Sequence, residues 1–106
     1  MSGMSGSLIS PIFGSSCEML SFETVLIKPV TAVLQTLKIH DVLQIEIVSN
    51  VGVIAKFNSQ TVGIVLAVPS KMDKLIECID KGTVYKGTIT SLDIPNGVCS
   101  IKISAV

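Results

Sequence analysis

Few side chains in this 106-residue chain could do chemistry: His40 beside Asp41, cysteines at 17, 78 and 99, and a group of lysines near one tyrosine. Nucleophilic or acid/base catalysis needs a nucleophile within hydrogen-bond reach of a positioned base. His40 is the lone imidazole, and with Asp41 it reads as a surface turn. Cys78 could be paired with it as a nucleophile, yet Cys78 falls beside Leu75 and Ile79 of a helical stripe, where a packed cysteine is the simpler reading. No residue is assigned a catalytic role, and the chain is read as a non-enzyme.

The three cysteines form no close pair and no C-x-x-C, so they are read as small hydrophobes in a reducing compartment rather than as a disulfide framework or zinc site. One histidine and scattered carboxylates lack metal-ligand spacing. Gly52, Gly63, Gly82, Gly87 and Gly97 are dispersed, and none belongs to a phosphate-cradling loop. No metal or cofactor is expected.

Lys71, Lys74, Lys81 and Lys86 could make a basic patch around a helix, with Tyr85 as a base-stacking surface. Against this, Asp73, Glu77 and Asp80 are interspersed with the lysines, as on an ordinary solvated helix face. Eight lysines balance eight acidic residues, and the chain has no arginine or tryptophan. Nucleic acid is therefore a disfavoured partner.

The elements that must position these groups are mostly strands. Phe22, Thr24 and Leu26 alternate with Glu23, Val25 and Ile27 in a run that ends at Pro29. Val30, Val33, Leu34 and Leu37 share one helical face, although Val30, Ala32 and Leu34 would also alternate in a strand. Leu43–Ser49, Val51–Phe57 and Thr61–Val68 read as strands, the last two joined tightly through Asn58-Ser59-Gln60. Gly63 and Gly87 are expected at bends, bulges or close backbone approaches.

The clearest helix signal covers about 70–81. Ser70 is the expected N-cap, Asp73 stands in the capping-box position, and Met72, Leu75, Ile76 and Ile79 form the apolar stripe. Lys81 and Gly82 supply its C-terminus. Thr83–Leu92 and Val98–Ser104 then read as a hairpin reversing through Ile94-Pro95-Asn96-Gly97. Gly63, Gly82, Gly87 and Gly97 are thus structural glycines.

Together these elements predict a mostly β (α+β) fold, a small, strongly bent antiparallel sheet or barrel with one capping helix. Length allows one core, so 17–106 is read as a single domain and 1–16, rich in Ser and Gly, as a flexible arm. Phe13 in that arm, Phe22 and Phe57 are read as core residues rather than as stacking rings. Charged residues are 15% and hydrophobic residues 48% of the chain, with mean hydropathy +0.69. That excess of apolar surface suggests an oligomer interface or ligand-facing wall. Polar residues and glycines interrupt every apolar run before a membrane-spanning length, and no secretory signal is read at the start, so a cytoplasmic location is expected.

The stretch Gly52-Val53-Ile54-Ala55-Lys56-Phe57, then Gln60-Thr61-Val62-Gly63-Ile64, the Leu75/Ile76 helix, Gly82 and Tyr85-Lys86-Gly87-Thr88-Ile89 resembles the latter half of a HIRAN-type small β-barrel. The resemblance covers roughly residues 43–91. It implies binding of single-stranded DNA ends through basic and aromatic residues. This chain departs from that pattern in lacking arginine, tryptophan and a polar-aromatic loop before the Val53 strand.

The sequence is accordingly read as a non-enzymatic binding module that acts through protein–protein contacts as a homo-oligomer, with strand addition to an exposed edge as one mode. The alternatives are a single-stranded nucleic-acid-binding module and an oligomeric small-ligand-binding protein.

Overall fold

A computed structural model describes residues 17–106. The expected arm at 1–16, with Phe13, lies outside the described residues. After a helical turn at 17–19 the chain forms β1 (Ser21–Ile27), α1 (Thr31–Leu34), β2 (Val42–Val48), β3 (Gly52–Phe57) and β4 (Gln60–Leu66). It continues through α2 (Pro69–Asp80), β5 (Tyr85–Asp93) and β6 (Val98–Ala105). The six strands close into an antiparallel barrel in the order β1-β4-β3-β2-β5-β6.

Alternation makes the inside of that barrel. Leu43 and Ile45 of β2, Val53 and Ala55 of β3, Val62 and Val65 of β4, Tyr85 and Ile89 of β5, and Cys99, Ile101 and Ile103 of β6 join one buried core. Phe22 and Phe57 pack against it half-buried. No polar or charged residue is buried among the described residues.

Closing six short strands requires sharp bends, and two register shifts supply them. Ala55 faces Gly63 while Lys56 faces Thr61, so Val62 is an extra residue in β4. Its carbonyl accepts the Val30 N–H at 2.8 Å, which anchors the entry to α1. Beside this bulge Gly63 is a close approach: a Cβ there would stand 3.0 Å from Leu26 Cβ and 3.2 Å from the Ile27 carbonyl oxygen. In the second shift Ile89 faces Ile101 and Ser91 faces Ser100, leaving Thr90 unpaired in β5. The second bend thus falls at Thr90. Gly87 instead leaves interior space, since a Cβ there would come 2.8 Å from Ile101 Cδ1 and 3.2 Å from Ile45 Cδ1.

Each barrel opening is covered. The antiparallel order puts α2, which links the end of β4 to the start of β5, over the mouth where β1 begins and β6 ends. Leu75 and Cys78 are its buried residues. At the opposite mouth the one-turn helix α1 and the segment after it insert Val33, Leu34 and Leu37. Of the two conformations open for 30–38, the helical one forms, and only over a single turn.

Three local expectations need correction. The N-cap of α2 is Val68, without a side-chain cap, and Pro69 occupies the first helical position. Proline's fixed φ suits that position and its missing N–H costs nothing there, so the start shifts ahead of Ser70 and leaves the Ser70/Asp73 capping box unformed. Cys17 and Cys78 are not separate apolar thiols: they form a disulfide with Cα atoms 5.6 Å apart, and Cys99 alone remains a buried free thiol. Among the described residues the strand-addition edge is not found, because each described strand has a hydrogen-bonded neighbour on both sides.

Gly82 ends α2 in a Schellman motif. Its N–H reaches the Ile79 carbonyl at 2.9 Å and the Thr83 N–H reaches the Cys78 carbonyl at 3.0 Å, with Gly82 at φ +102°.

Candidate functional site

The basic patch expected around α2 comes apart in the structure. Tyr85 is 2% exposed, its ring inside the barrel and its hydroxyl donating to the Cys17 carbonyl, so it cannot stack a base. The parity of β5 decides this: Tyr85, Gly87 and Ile89 point inward, and Lys86 and Thr88 outward. Burial also pushes the Tyr85 phenol above its ordinary pKa.

The lysines are dispersed as well. Lys71 Nζ lies 5.9 Å from the Phe22 ring centroid, and Lys74 Nζ lies 3.5 Å from Glu77 Oε1. Lys81 is the C-cap of α2, whereas Lys86 stands on the barrel wall between Gln44 and Ser104. A surface groove along α2 is lined by Asp73, Ile76, Glu77, Asp80 and Lys81, three acids to one base. Such a surface repels phosphates.

His40 sits in a turn at φ +80°, with its N–H on the Ile89 carbonyl at 2.8 Å. The neighbouring Asp41 Oδ2 accepts the Lys38 N–H at 2.8 Å, so this carboxylate holds the turn. The Cys78 sulfur is in the disulfide. Among the described residues no three potential metal ligands converge.

What the strands do assemble is an outer wall of one character. On β1 Val25 and Ile27 point outward; they face Leu66 and Ile64 of β4, and Ile64 in turn faces Ile54 of β3. These apolar side chains are therefore contiguous across three strands. Val25 is 45% and Leu66 53% exposed, and Val68, next along the chain, 60%. Ile54 is buried yet lies outside the core cluster. Lys28, Val48, Val51, Lys56 and Ile64 line with it a groove of about 410 Å³. A second groove of about 500 Å³ runs between Thr24, Val25, Leu66, Ala67 and Val68.

The row across β5 and β6 is polar, although exposed Val42 of β2 lies beside it opposite Thr88. Lys86 and Thr88 of β5 face Ser104 and Lys102 of β6, and Ser100 continues the row. Part of the apolar excess in the composition is thus collected on the β1-β4-β3 side, while Val42, Val84, Val98 and Val106 are exposed elsewhere. Sequence reading named the surplus but not its place. The signal was available in β3 and β4, where apolar residues occupy both parities: Val53 and Ala55 with Ile54, Val62 and Val65 with Ile64 and Leu66.

No family profile and no curated protein matches the chain. A crystal structure of a protein from Lactobacillus plantarum, determined by a structural genomics consortium, is similar in fold: TM-score 0.63 at 13% identity, covering 79% of this chain and 91% of that one. At that identity the similarity carries the fold alone. No helix among the described residues is long and apolar enough to cross a membrane.

Proposed function

We propose that the chain is a non-enzymatic binding module that acts through protein–protein contacts on the apolar wall of its barrel. The observation that carries this reading is the contiguous outward row Val25, Leu66, Ile27, Ile64 and Ile54, which spans three adjacent strands, against the polar row Lys86, Thr88, Ser100, Lys102 and Ser104 of β5 and β6. Protein surfaces that stay in water rarely concentrate apolar side chains across adjacent strands, and such a patch with polar surroundings fits a protein contact. Strand addition has no place in this mode, so recognition runs through side chains.

Site-specific photo-crosslinking compares the two walls directly. A photoreactive side chain at position 66 should give a discrete protein adduct in the native host, identified by its mass, while the same group at position 102 should give none. Equal adducts from both walls, or none from position 66, would reject the reading. The single-stranded nucleic-acid alternative is tested alongside by fluorescence anisotropy of a labelled oligonucleotide at low salt. Saturable binding lost on Lys71→Ala and Lys74→Ala would favour that alternative.

A further inference from the structure

We infer that the occupant of the apolar wall is a second copy of this chain, docked about a two-fold axis that lies in the plane of the interface, perpendicular to β1. The inference rests on the reading of that wall as a protein contact surface and adds the partner, the symmetry and the charge pairs. Its basis is the order of residues along β1. The outward row reads Glu23, Val25, Ile27 and is followed by Lys28, whose side chain lines the groove beside Ile54 and Ile64. An acid stands at one end of the apolar row and a base at the other, about 16 Å apart along an extended strand.

That arrangement is self-complementary. An in-plane two-fold axis that crosses β1 between Val25 and Ile27, and β4 between Ile64 and Leu66, lays the second copy's β1 antiparallel over the first. Glu23 of each copy then comes opposite Lys28 of the other, and Val25 and Leu66 of one copy meet Ile27 and Ile64 of its partner. Isologous interfaces require one patch to match itself in this way. A parallel arrangement would set like charges against each other at both ends, so the charges also select the orientation. Glu23 faces Lys102 across β6 with no ion pair between them, which leaves its carboxylate free to turn toward a partner. Zero formal net charge adds no long-range repulsion between copies.

Sedimentation equilibrium of the full chain over micromolar to submillimolar concentration tests this. The expected result is a species of twice the 11.2 kDa chain mass. Leu66→Asp should abolish it, and the milder Leu66→Ser should weaken it if the aspartate variant fails to fold. Glu23→Lys and Lys28→Glu should each weaken the dimer about tenfold, since symmetry makes each change count twice. The double reversal should restore it, and Thr88→Asp on the polar wall should leave it unchanged. A monomer at every concentration overturns the second-copy inference but leaves the contact surface to the crosslinking test. A dimer lost with Leu66→Asp yet not restored by the double reversal overturns the two-fold register alone. A dimer indifferent to Leu66→Asp overturns both the inference and the wall as the contact surface.

Discussion

The Tyr85 hydroxyl donates a hydrogen bond to the Cys17 carbonyl across 68 positions of sequence, and the Cys17 sulfur is bonded to Cys78 of α2. Three parts of the chain therefore meet at one mouth of the barrel: the turn before β1, the covering helix and the first residue of β5. The hydroxyl is the one polar side-chain atom that Tyr85 brings into the interior, and the Cys17 carbonyl satisfies it.

Burial raises the Tyr85 phenol above 10.0, and this sets the sign of a pH effect. In the unfolded chain the phenol ionises near its ordinary value, so above about pH 10 the unfolded state holds fewer protons than the folded one. Stability is full below that pH and is lost as pH rises toward the folded pKa. Tyr85→Phe should cost about 1 kcal/mol at neutral pH and flatten the alkaline slope. The buried Cys99 thiol, also raised by burial, contributes in both proteins with the same sign and cancels in the comparison. Tyr85 is the only tyrosine, so tyrosinate absorbance reports it alone. Its rise should coincide with loss of the β-sheet circular dichroism; ionisation near pH 10 with the sheet intact would show an exposed ring.

The disulfide spans 61 positions, enough for chain-entropy reasoning to assign it about 4 kcal/mol. The Cys17→Ala/Cys78→Ala variant, or a reductant acting on the native chain, should lower the denaturant midpoint accordingly with little change in slope. Equal midpoints with and without reductant would show that the cross-link contributes nothing.

Gly63 and Gly87 both lack room for a Cβ, but for different reasons. At Gly63 the obstacles are Leu26 Cβ and a backbone oxygen, which cannot swing away, whereas at Gly87 they are the Cδ1 ends of Ile101 and Ile45. Gly63→Ala should destabilise by about 1–3 kcal/mol, and Gly87→Ala by less as the isoleucines change rotamer. Thermal denaturation that ranks them in the reverse order would contradict this.

Asn58 and Ser59 form the two-residue connection between Phe57 and Gln60 with φ of +50° and +69°. That is the type I′ geometry, in which glycine is favoured at the second position and serine is strained. Ser59→Gly should stabilise by about 0.5–1 kcal/mol, the scale of relieving one left-handed residue. An unchanged or lowered melting temperature would argue against strain at Ser59.

Much of the architecture could be read in advance because alternation and turn chemistry are local. Ile101 and Ile103 with Ser100, Lys102 and Ser104 announce a half-buried strand, and Met72, Leu75, Ile76 and Ile79 announce the covering helix. What escaped was decided at long range. Cys17 and Cys78 are far apart in sequence, and only the placing of α2 over the mouth brings them together. Tyr85 looked like a surface ring beside Lys86, yet strand parity turns those neighbours to opposite faces. The short α1 sits where both helical and strand patterns fit Val30–Leu37, and the Val62 bulge carbonyl favours the helix by fixing Val30. The apolar wall was visible as a surplus but not as a place, since that depends on which strands become neighbours.

The seam between β1 and β6 governs how the protein is made. Phe22 to Val25 pair with Ile103 back to Ser100, so the first described strand to leave the ribosome has its partner in the last described one. Until that partner is synthesised, β1 can pair only with β4, through Val25, Leu26 and Ile27. The rest of the strand has no ladder. Vectorial synthesis therefore gains little from an early start, and the ring must close late, in one step that joins segments distant in sequence. Folding should be slow for so small a domain, and the waiting species, with its lining exposed, is the stage at which aggregation competes.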